Sequence, residues 1–509
     1  MAFKSSGARH DPLRSSGGLH EANRFQRGVA EFLRLPLILT AVFCLVAVGV
    51  SLLDRLTPDD AGFRTLVRSV VSEEGAVDFL SAVATSLLTV TSITFSVLLL
   101  AVQQTASSLT PVVFDQFLRR TANQVYFGFF IGATTFSFLV LGLAHKQPAP
   151  LYSAALTLVL VVASLVVLLM LIHSTIDQMR PESVVRSIHE LALQAREVEL
   201  KMLGRTRMAR HSDPDRPERE IHVMDTGFVV TVDTEKLGAI ASSAGDDVEV
   251  IVEGRLGEYM VFDDLLVRLV NIDPEDSSYD DDVIDAFGID DIRDVNVESG
   301  YALDQLENIA WETGTSASQS PQTASTAIRT LSDLLGRWLM AGERDRSERS
   351  TRQDELPVVY TDGAVERGLV ALSTLLVGSS ESRQAQTTAK ILHSFARLIP
   401  RLQDKDRAAF DDALDAALPA VIQQAEIPPL RDALAELEKV MNKHGHDTER
   451  VRLVRNLLTE ATSQMMPKPT DEPEAAHPRR EGDREEGVRS SANETETSRR
   501  SETRVGDLN

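Results

Sequence analysis

Residues Phe79 to Val102 read FLSAVATSLLTVTSITFSVLLLAV, a stretch without one charged side chain. About 20 such residues in a helix, at roughly 1.5 Å each, cross the ~30 Å hydrocarbon layer of a bilayer. Three more charge-free blocks of similar length lie in the first third of the chain: Leu35–Leu53 (LPLILTAVFCLVAVGVSLL), Val125–Ala144 and Leu151–Ile172. The four blocks predict four transmembrane helices. A signal peptide is the alternative for the first block, but a polar tail precedes it and no small-residue cleavage site clearly follows.

Basic residues flank these blocks unevenly. Arg119 and Arg120 lie between the second and third blocks, and the loop before the fourth offers only Lys146. The loop after the first block has three arginines against six acidic residues. The other basic residues that matter are those of the N-terminal tail and those after the fourth block: Lys4, Arg9, Arg14, Arg24, Arg27, Arg34, Arg180 and Arg186. Since positive flanks stay in the cytoplasm, both termini are expected there.

The net charge of −23 is concentrated in one region. Residues 221 to 312 hold 24 Asp and Glu against 4 Lys and Arg. Such a surface repels nucleic acid phosphates and anionic lipid headgroups, so we expect no nucleic acid partner and a domain that stands off from the bilayer. The run Ser278–Asp285 (SYDDDVID) could suit a hard cation, but it lacks the glycine and final glutamate of a calcium loop. A solvated acidic loop is favoured, and no metal site is predicted.

The common catalytic and nucleotide-binding motifs are missing from the sequence. There is no phosphate-binding Gly-Lys-Ser/Thr loop, no His-Glu-x-x-His, no Gly-x-Ser-x-Gly and no dinucleotide-binding glycine pattern. The single cysteine, Cys44, lies inside the first block and predicts neither a disulfide nor a cysteine metal site. We therefore expect no catalytic residue, no cofactor and no enzymatic activity.

The remaining chain divides by its periodicity. After the tail of residues 1–32 and the transmembrane domain of 33–175, a connecting helix is predicted within 176–215, with apolar residues at helical spacing. Runs such as Gly227–Asp233 and Leu265–Ile272 predict a small acidic β domain over 221–273. Helical spacing returns in 274–342 and again in 356–462, separated by a charged break from Glu343 to Glu355. Residues 467–509 lack core-forming side chains and are expected to be disordered. The fold class is mainly α: a four-helix transmembrane bundle, a small acidic β domain and an all-α cytoplasmic region.

One polar stripe follows the second block. Its members fall within an arc of about 80° on a helix, and they are Ser81, Thr85, Thr89, Ser92, Ser96, Gln103 and Ser107. Against another helix the stripe would serve packing, and against water it would line a conduction path. Ser86, Thr91 and Thr94 lie off the stripe and weaken the pattern. Because no span core contains an ionisable residue, ion-coupled transport is disfavoured.

Several longer segments resemble a known family. They are Ser96–Gly128, Met224–Ala241 (MDTGFVVTVDTEKLGAIA), Gly257–Leu269 and above all Gly288–Leu335. Together they resemble an uncharacterised family of predicted bacterial membrane proteins, a domain of unknown function, over roughly residues 30 to 460. The resemblance implies four spans in the bacterial inner membrane, a soluble C-terminal region and no established activity. The positions that carry it are Gly227, Asp233, Arg293, Leu303, Gln305, Pro321, Thr323 and Ala324.

The chain departs from the family pattern at two places. Thr315 to Ser320 stand where the family has a Ser-Pro-Gly-Ile-Asn-Asp-Pro-like loop, and Val297 and Glu298 stand where a Gln-Asp pair is expected. These polar residues either bind something in relatives or serve only as a turn and a helix cap.

Two functions remain open. One is an oligomeric channel or passive permeation pathway with a cytoplasmic regulatory region, which implies a homo-oligomer in the lipid bilayer. The other is a membrane-anchored scaffold or sensor that binds a cytoplasmic protein partner through its helical region.

Overall fold

The computed structural model describes residues 17–57, 75–108, 110, 117, 120–144, 149–315, 321–349 and 355–465. Its first four helices are α1 (Gly17–Leu56), α2 (Ala76–Ser108), α3 (Thr121–Leu143) and α4 (Leu151–Gln178). Each contains a segment that is long and apolar enough to cross a membrane: residues 33–56, 76–106, 121–143 and 151–178. The four predicted spans are confirmed. The N-terminal tail is helical from Gly17, and residues 1–16 lie outside the described part.

Two glycines of α3 allow close contact with α1. A Cβ atom at Gly128 would lie 2.9 Å from the Pro36 Cα, and one at Gly132 would lie 2.9 Å from the Phe43 Cγ. Glycines four residues apart share one helix face, so side chains of α1 reach the α3 backbone there. The hydroxyls of Thr91 and Thr134 join α2 to α3 at 3.1 Å.

At one end of the bundle, an acidic side chain of α1 caps α4. The Asp54 carboxylate accepts hydrogen bonds from the backbone N–H groups of Tyr152 and Ser153, at 2.8 and 3.0 Å. Those amides belong to the first turn of α4 and have no acceptor within the helix. At the opposite end, the Asn123 side chain of α3 donates to the side-chain Oε1 of Gln178 in α4 at 3.0 Å. Polar contacts thus fix both ends of the bundle.

The chain continues through α5 (Pro181–Leu203) into a β region. Its elements are β1 (Glu218–His222), β2 (Gly227–Val232), α6 (Thr234–Ala244), β3 (Glu249–Val252), β4 (Tyr259–Met260), β5 (Leu265–Val270), α7 (Asp280–Ile284) and β6 (Phe287–Asp290). One sheet has the order β1-β5-β3 with antiparallel neighbours, and a strand from much later in the chain, β7 (Val358–Tyr360), adds to β3 in parallel. The other sheet has the antiparallel order β4-β2-β6. Apolar side chains of both sheets share one core.

The rest of the soluble region is helical. Its helices are α8 (Ser299–Gly314), α9 (Pro321–Arg349), α10 (Ala364–Glu381), α11 (Ala385–Leu398), a short 3-10 turn (Ile399–Arg401), α12 (Asp404–Val421), α13 (Pro428–His444) and α14 (Glu449–Met465). Buried residues from all of these longer helices form a single core, to which α5 adds Val184, Val185 and Ile188. The mainly α fold class is confirmed.

The boundaries differ from the predicted ones in three ways. Strands β6 and β7 lie within the segments 274–342 and 356–462 that were predicted to be helical, so the β region extends beyond 221–273. The helix α5, within the predicted connecting segment 176–215, packs into the α core. Finally, α9 continues to Arg349 across much of the charged break, and the helices on both sides of that break share one core. The predicted disordered tail, 467–509, lies outside the described residues.

Candidate functional site

The polar stripe of α2 lies on the outer surface of the four helices. The six side chains at positions 81, 85, 89, 92, 96 and 103 are exposed, whereas Ala84, Leu87 and Leu98 of the same helix are buried against its neighbours. The stripe therefore does not pack against the other spans described for this chain. The Ser107 side chain lies outside the described part.

Three hydroxyls of the stripe are satisfied by the helix itself. Thr85 donates to the Ser81 carbonyl at 3.0 Å, Thr89 to the Thr85 carbonyl at 2.9 Å, and Ser96 to the Ser92 carbonyl at 2.9 Å. A hydroxyl that donates to its own backbone still has an oxygen that can accept. The stripe thus presents acceptor oxygens on its outer side.

The soluble region contacts α2 directly. With 33 residues the helix is about 50 Å long, well beyond the hydrocarbon thickness. Near its C-terminal end Ala106 packs against the core of the helical region, and just beyond it the Thr110 hydroxyl donates to the Gln305 side chain of α8. A movement of α8 would therefore act on the end of α2.

A cleft of about 350 Å³ lies where α5, the β region, α8 and α10 meet. At its floor the Arg196 guanidinium donates to Glu199 at 3.1 Å and to both carboxylate oxygens of Asp362, at 3.0 Å for Oδ1. The Ser299 backbone N–H donates to Glu199 at 2.7 Å, and the Arg196 guanidinium lies 5.3 Å from the Trp338 ring centre. Charged groups from two distant segments, α5 and the start of α10, are thus held together with Ser299 from a third.

These surroundings shift the acidity of the cleft residues. Burial raises the pKa of Glu199 and outweighs the charge of Arg196. Burial acts upward on Asp362 as well, but the charge and hydrogen bonds of Arg196 prevail and hold the pKa of Asp362 below its ordinary value. Burial also raises the pKa of the Tyr360 hydroxyl, which therefore keeps its proton.

A second ionic cluster lies directly beside the cleft. Arg293 donates to Glu298 at 2.9 Å and to Asp304 at 2.6 Å, while Arg367 donates to the same Glu298 at 3.1 Å and to the Gly257 carbonyl at 2.8 Å. The loop at Gly257 has a φ of +80°, and any Cβ there would collide with the Glu298 carboxylate. Glycine is required at this position by both conformation and space.

Comparison with known proteins identifies the family. A model for predicted membrane proteins (DUF2254) matches residues 30–395, more than two thirds of the 509 residues. The chain belongs to the DUF2254 family. Searches of curated proteins and of solved structures found no match. This DUF2254 protein is thus a membrane protein, as the sequence predicted.

Two of the positions that carried the resemblance lie at the contacts described above. Arg293 is the centre of the second ionic cluster, and Gln305 contacts Thr110. Glu298, which replaces an expected Asp in this DUF2254 protein, precedes α8 but makes no capping hydrogen bond; its carboxylate binds Arg293 and Arg367 instead. Val297 is half-exposed.

The other six positions lie outside these ionic and interhelical contacts, in places where they serve packing or the start of a helix. A Cβ atom at Gly227 would lie in tight contact, 3.0 Å from the Ile289 Cγ2, and the Asp233 carboxylate accepts the Lys236 backbone N–H at the start of α6. Leu303 is fully buried. The remaining three are found in the first turn of α9, namely Pro321, Thr323 and Ala324. The loop residues 316–320 lie outside the described part.

The acidic run Ser278–Asp285 contains the short helix α7. Asp280 receives a hydrogen bond from the Arg219 Nε at 3.1 Å. Within the described ranges, no group of three or more His, Cys, Asp or Glu side chains could hold a metal ion.

Sequence reasoning missed the cleft. Its floor combines Arg196, Ser299 and Asp362, which are separated by more than 60 residues from one another. No short motif joins them, although an arginine and a glutamate three residues apart on an amphipathic helix, Arg196 and Glu199, were a usable signal.

Proposed function

We propose that this DUF2254 protein assembles into an oligomer in which α2 of each copy lines a passive permeation pathway. The observation that carries the proposal is the exposure of the polar stripe. Its centre lies roughly 130° around the helix from the buried side, so the stripe points away from the chain's own bundle. In this proposal, further copies of the chain enclose it.

The chemistry of the stripe suits weakly bound polar solutes. The hydroxyls of Thr85, Thr89 and Ser96 donate to backbone carbonyls, which leaves their oxygens as acceptors toward the pathway. Rings of such oxygens can replace part of a hydration shell without binding a solute too tightly to release it. No ionisable side chain lies in the stripe, which favours passive passage over coupled transport.

The contact between α2 and the soluble region supports regulation. Because Thr110 and Ala106 meet α8 and the helical core, a change in the soluble region would move the end of the helix that lines the pathway. In this proposal the protein is not an enzyme, and the soluble region lies in the cytoplasm of a bacterial cell.

Cysteine accessibility tests the pathway. Single cysteines would replace Thr85, Thr89 and Ser96 in a Cys44→Ala background, in lipid nanodiscs. They should react with a small, water-soluble methanethiosulfonate, because water reaches the stripe. Ile93 and Val97 are the matched controls: both are apolar and 59% exposed on the same helix, but they lie outside the arc of the stripe. Cysteines at these controls should stay unreactive.

The same material gives a second measurement. The mass of the protein in nanodiscs should correspond to several copies of the chain. A monomer, or stripe cysteines no more reactive than those at positions 93 and 97, would contradict the pathway and leave the stripe facing lipid or serving contacts between helices.

A second candidate is a membrane-anchored scaffold or sensor that binds a cytoplasmic protein. It is favoured by four large apolar side chains that are about half-exposed on the β region: Met224, Tyr259, Val261 and Phe262. Apolar residues grouped on a surface are typical of interaction sites. A monomer whose stripe cysteines do not react would favour this function.

A further inference from the structure

One face of the three-stranded sheet β4-β2-β6 is apolar and exposed. Tyr259 of β4, Phe228 of β2 and Asp290 of β6 are paired across the sheet, so their side chains lie on the same face. Tyr259 is 51% exposed, and its ring meets the Phe228 ring edge-on at 4.9 Å. Met260, the next residue of β4, is buried in the core on the other face. The face with Tyr259 is therefore the outer one.

Further apolar side chains extend this face. Hydrogen bonds that join Val223 to Asp263 and Asp264 hold Met224 next to the segment that follows β4. Two residues of that segment and Met224 itself are 48–50% exposed, and one residue beyond β6 is 66% exposed. We name six residues the outer sheet face: Met224, Phe228, Tyr259, Val261, Phe262 and Ile292.

Acidic residues border the outer sheet face. The basic residues there are fewer: Arg293 packs on Phe228, is only 8% exposed and is already paired with carboxylates, and His222 lies beside Asp263. An apolar centre with a negative border fits a segment that has both apolar and positively charged side chains. The exposed acidic residues are Asp225, Glu258, Asp263 and Asp291.

The outer sheet face lies near the membrane-spanning helices. Arg293 joins Phe228 to Tyr301 of α8, at 4.9 and 4.6 Å from the two ring centres. Gln305 is one turn further along α8 and contacts Thr110, just beyond α2. With a rise of about 6 Å for that turn, these steps place the face within roughly 25 Å of the end of α2.

The acidic border disfavours two of the possible occupants. It repels the anionic inner leaflet of a membrane, and a symmetric contact between two copies of the chain would bring borders of like charge together. A separate basic protein fits the charge. However, a segment of the same chain acts at a much higher effective concentration than a separate protein.

The tail before α1 has the required chemistry. Residues 1–16 contain one acidic residue, Asp11, against three Lys and Arg. Its large apolar and positively charged side chains include Phe3, Lys4, Arg9, Leu13 and Arg14.

The tail also has the required reach. Helix α1 begins at Gly17 but its apolar span begins at residue 33, so the helix continues for about 24 Å beyond the span. This end lies on the side of the soluble region, because Asp54 at the other end meets the start of α4, whereas the end of α4 leads into α5. Sixteen extended residues cover up to about 50 Å, which is enough to reach the face.

We propose that residues 1–16 bind the outer sheet face, with Phe3 and Leu13 against its apolar side chains and the tail's cations against its acidic border. The tail then blocks this surface until a partner protein displaces it. The proposal holds whether or not α2 lines a pathway, and it adds a regulatory segment to the scaffold function.

Cysteine labelling of the full-length protein in nanodiscs of neutral lipid tests the contact. In a Cys44→Ala background, Phe262→Cys reports access to the face, and Leu453→Cys, 56% exposed on α14, is the control for an open surface. A maleimide should label position 262 slowly while the tail is present. Deletion of residues 2–16 should speed this labelling about tenfold or more and leave the rate at position 453 unchanged.

Charge exchange tests the pairing between tail and border. Lys4→Glu, Arg9→Glu and Arg14→Glu together should speed labelling at position 262 as the deletion does. Adding Glu258→Lys and Asp291→Lys should restore slow labelling, because opposite charges face each other again. Each rate is compared with that of the same variant without the tail, which removes effects of charge on the thiol itself.

A matched control and a second reporter accompany these variants. Ser5→Ala, Ser6→Ala and Ser15→Ala change three tail positions without a change in charge and should leave the labelling rate unaltered. Val261→Cys, 48% exposed, should respond to the deletion as Phe262→Cys does. Thermal unfolding should show that all variants fold.

Equal labelling of position 262 with and without the tail would overturn the proposal. Rapid labelling in both cases would mean an open face. Slow labelling in both cases would assign the face to a second copy if protection fell on dilution in detergent, or to the lipid surface if protection required the nanodisc. A charge-reversed tail that still protects position 262, or an exchange that restores nothing, would also contradict the proposal. None of these results depends on the stripe cysteines of α2, so failure here and failure of the pathway are distinguishable.

Discussion

Arg293 shows how one side chain can join two parts of this protein. Its guanidinium lies 4.9 Å from the Phe228 ring centre and 4.6 Å from that of Tyr301, while its nitrogens bind Glu298 and Asp304. Phe228 belongs to β2 and Tyr301 to α8, so the arginine connects the β region to the helical region. Its pKa is raised: burial works against the charged form, but the hydrogen bonds and charges of Glu298 and Asp304 prevail.

Removing Glu298 should destabilise the soluble region. Its side chain is 3% exposed and pairs with both Arg293 and Arg367, so Glu298→Ala leaves two arginines to share Asp304 and one positive charge in excess. The expected loss in the free energy of unfolding is about 3–5 kcal/mol. Denaturant titration followed by tryptophan fluorescence measures it, because both tryptophans, Trp311 and Trp338, lie in α8 and α9.

Glu366→Ala is the control for this prediction. Glu366 is 63% exposed and lies 3.8 Å from Arg255, so its loss should cost less than about 1 kcal/mol. Equal effects of the two substitutions would show that the buried cluster does not contribute as inferred.

The raised pKa of Glu199 predicts a pH dependence of stability. Between its ordinary value of 4.5 and its raised value, folded Glu199 holds a proton that the unfolded chain has lost. Its contribution is complete below pH 4.5 and is lost as the pH rises through the folded pKa. Asp362 has a lowered pKa, so its contribution is lost only in acid, below the ordinary value of 3.8.

Glu199→Gln should therefore flatten the pH profile. The difference in unfolding free energy between this variant and the wild type should shift in favour of the variant as the pH rises above 4.5. The same fluorescence titration, repeated across pH, measures this difference. A shift in favour of the wild type would mean that the interactions of Glu199 with Arg196 and Ser299 outweigh the effect of burial on its pKa.

At the scale of elements, the contact between α1 and α3 depends on glycine. Gly132→Ala should place a methyl group against the Phe43 ring, and overpacking of this kind costs about 1–3 kcal/mol. Gly142 lies in the same helix with nothing within 4 Å of a Cβ position, so Gly142→Ala should be neutral or slightly stabilising. Thermal unfolding of the detergent-solubilised protein compares the stability of the two variants. A neutral Gly132→Ala would show that α1 and α3 can separate without loss.

Sequence periodicity predicted the long elements and missed the short ones. A charge-free block of about 20 residues matches the length of a membrane span, so α1 to α4 were found. Strand β7 has three residues and is defined by pairing with β3, more than 100 residues earlier. The alternation of apolar and polar residues that marks a strand cannot be detected over three residues. The strand with which β7 pairs is set only by the tertiary fold. The stripe on α2 could be predicted because one helix contains all of it, whereas the cleft combines separate segments.

Across the whole molecule, the ends of the spans form two groups, one at each end of the four-helix bundle, as their mutual contacts show. Asp54 of α1 meets Ser153 of α4, and the Arg55 side chain reaches the Leu143 carbonyl of α3. The opposite ends hold the Asn123–Gln178 pair and the contact from Thr110 to Gln305 of the soluble region. The C-terminal end of α2 and the N-terminal end of α3 thus lie on the same side as the soluble region. Four spans that alternate in direction account for both groups.

The basic residues next to the spans indicate which group of span ends faces the cytoplasm. The last prediction tests this orientation. Arg120, just before α3, lies on the side of the soluble region, as do Arg180 and Arg186 after α4, so this side should be cytoplasmic. Two single cysteines test it in a Cys44→Ala background: Leu56→Cys, 77% exposed at the end of α1, and Asp177→Cys, whose side chain is 62% exposed at the end of α4.

In intact cells, a membrane-impermeant maleimide should label the cysteine at position 56, and it should label the one at position 177 only after the membrane is opened. Because both residues are exposed, a difference in labelling reports the side of the membrane rather than burial within the protein. The reverse pattern would place the soluble region outside the cell, and the charge bias would then have failed to set the orientation. Labelling of both positions in intact cells would mean that the chain inserts in two orientations.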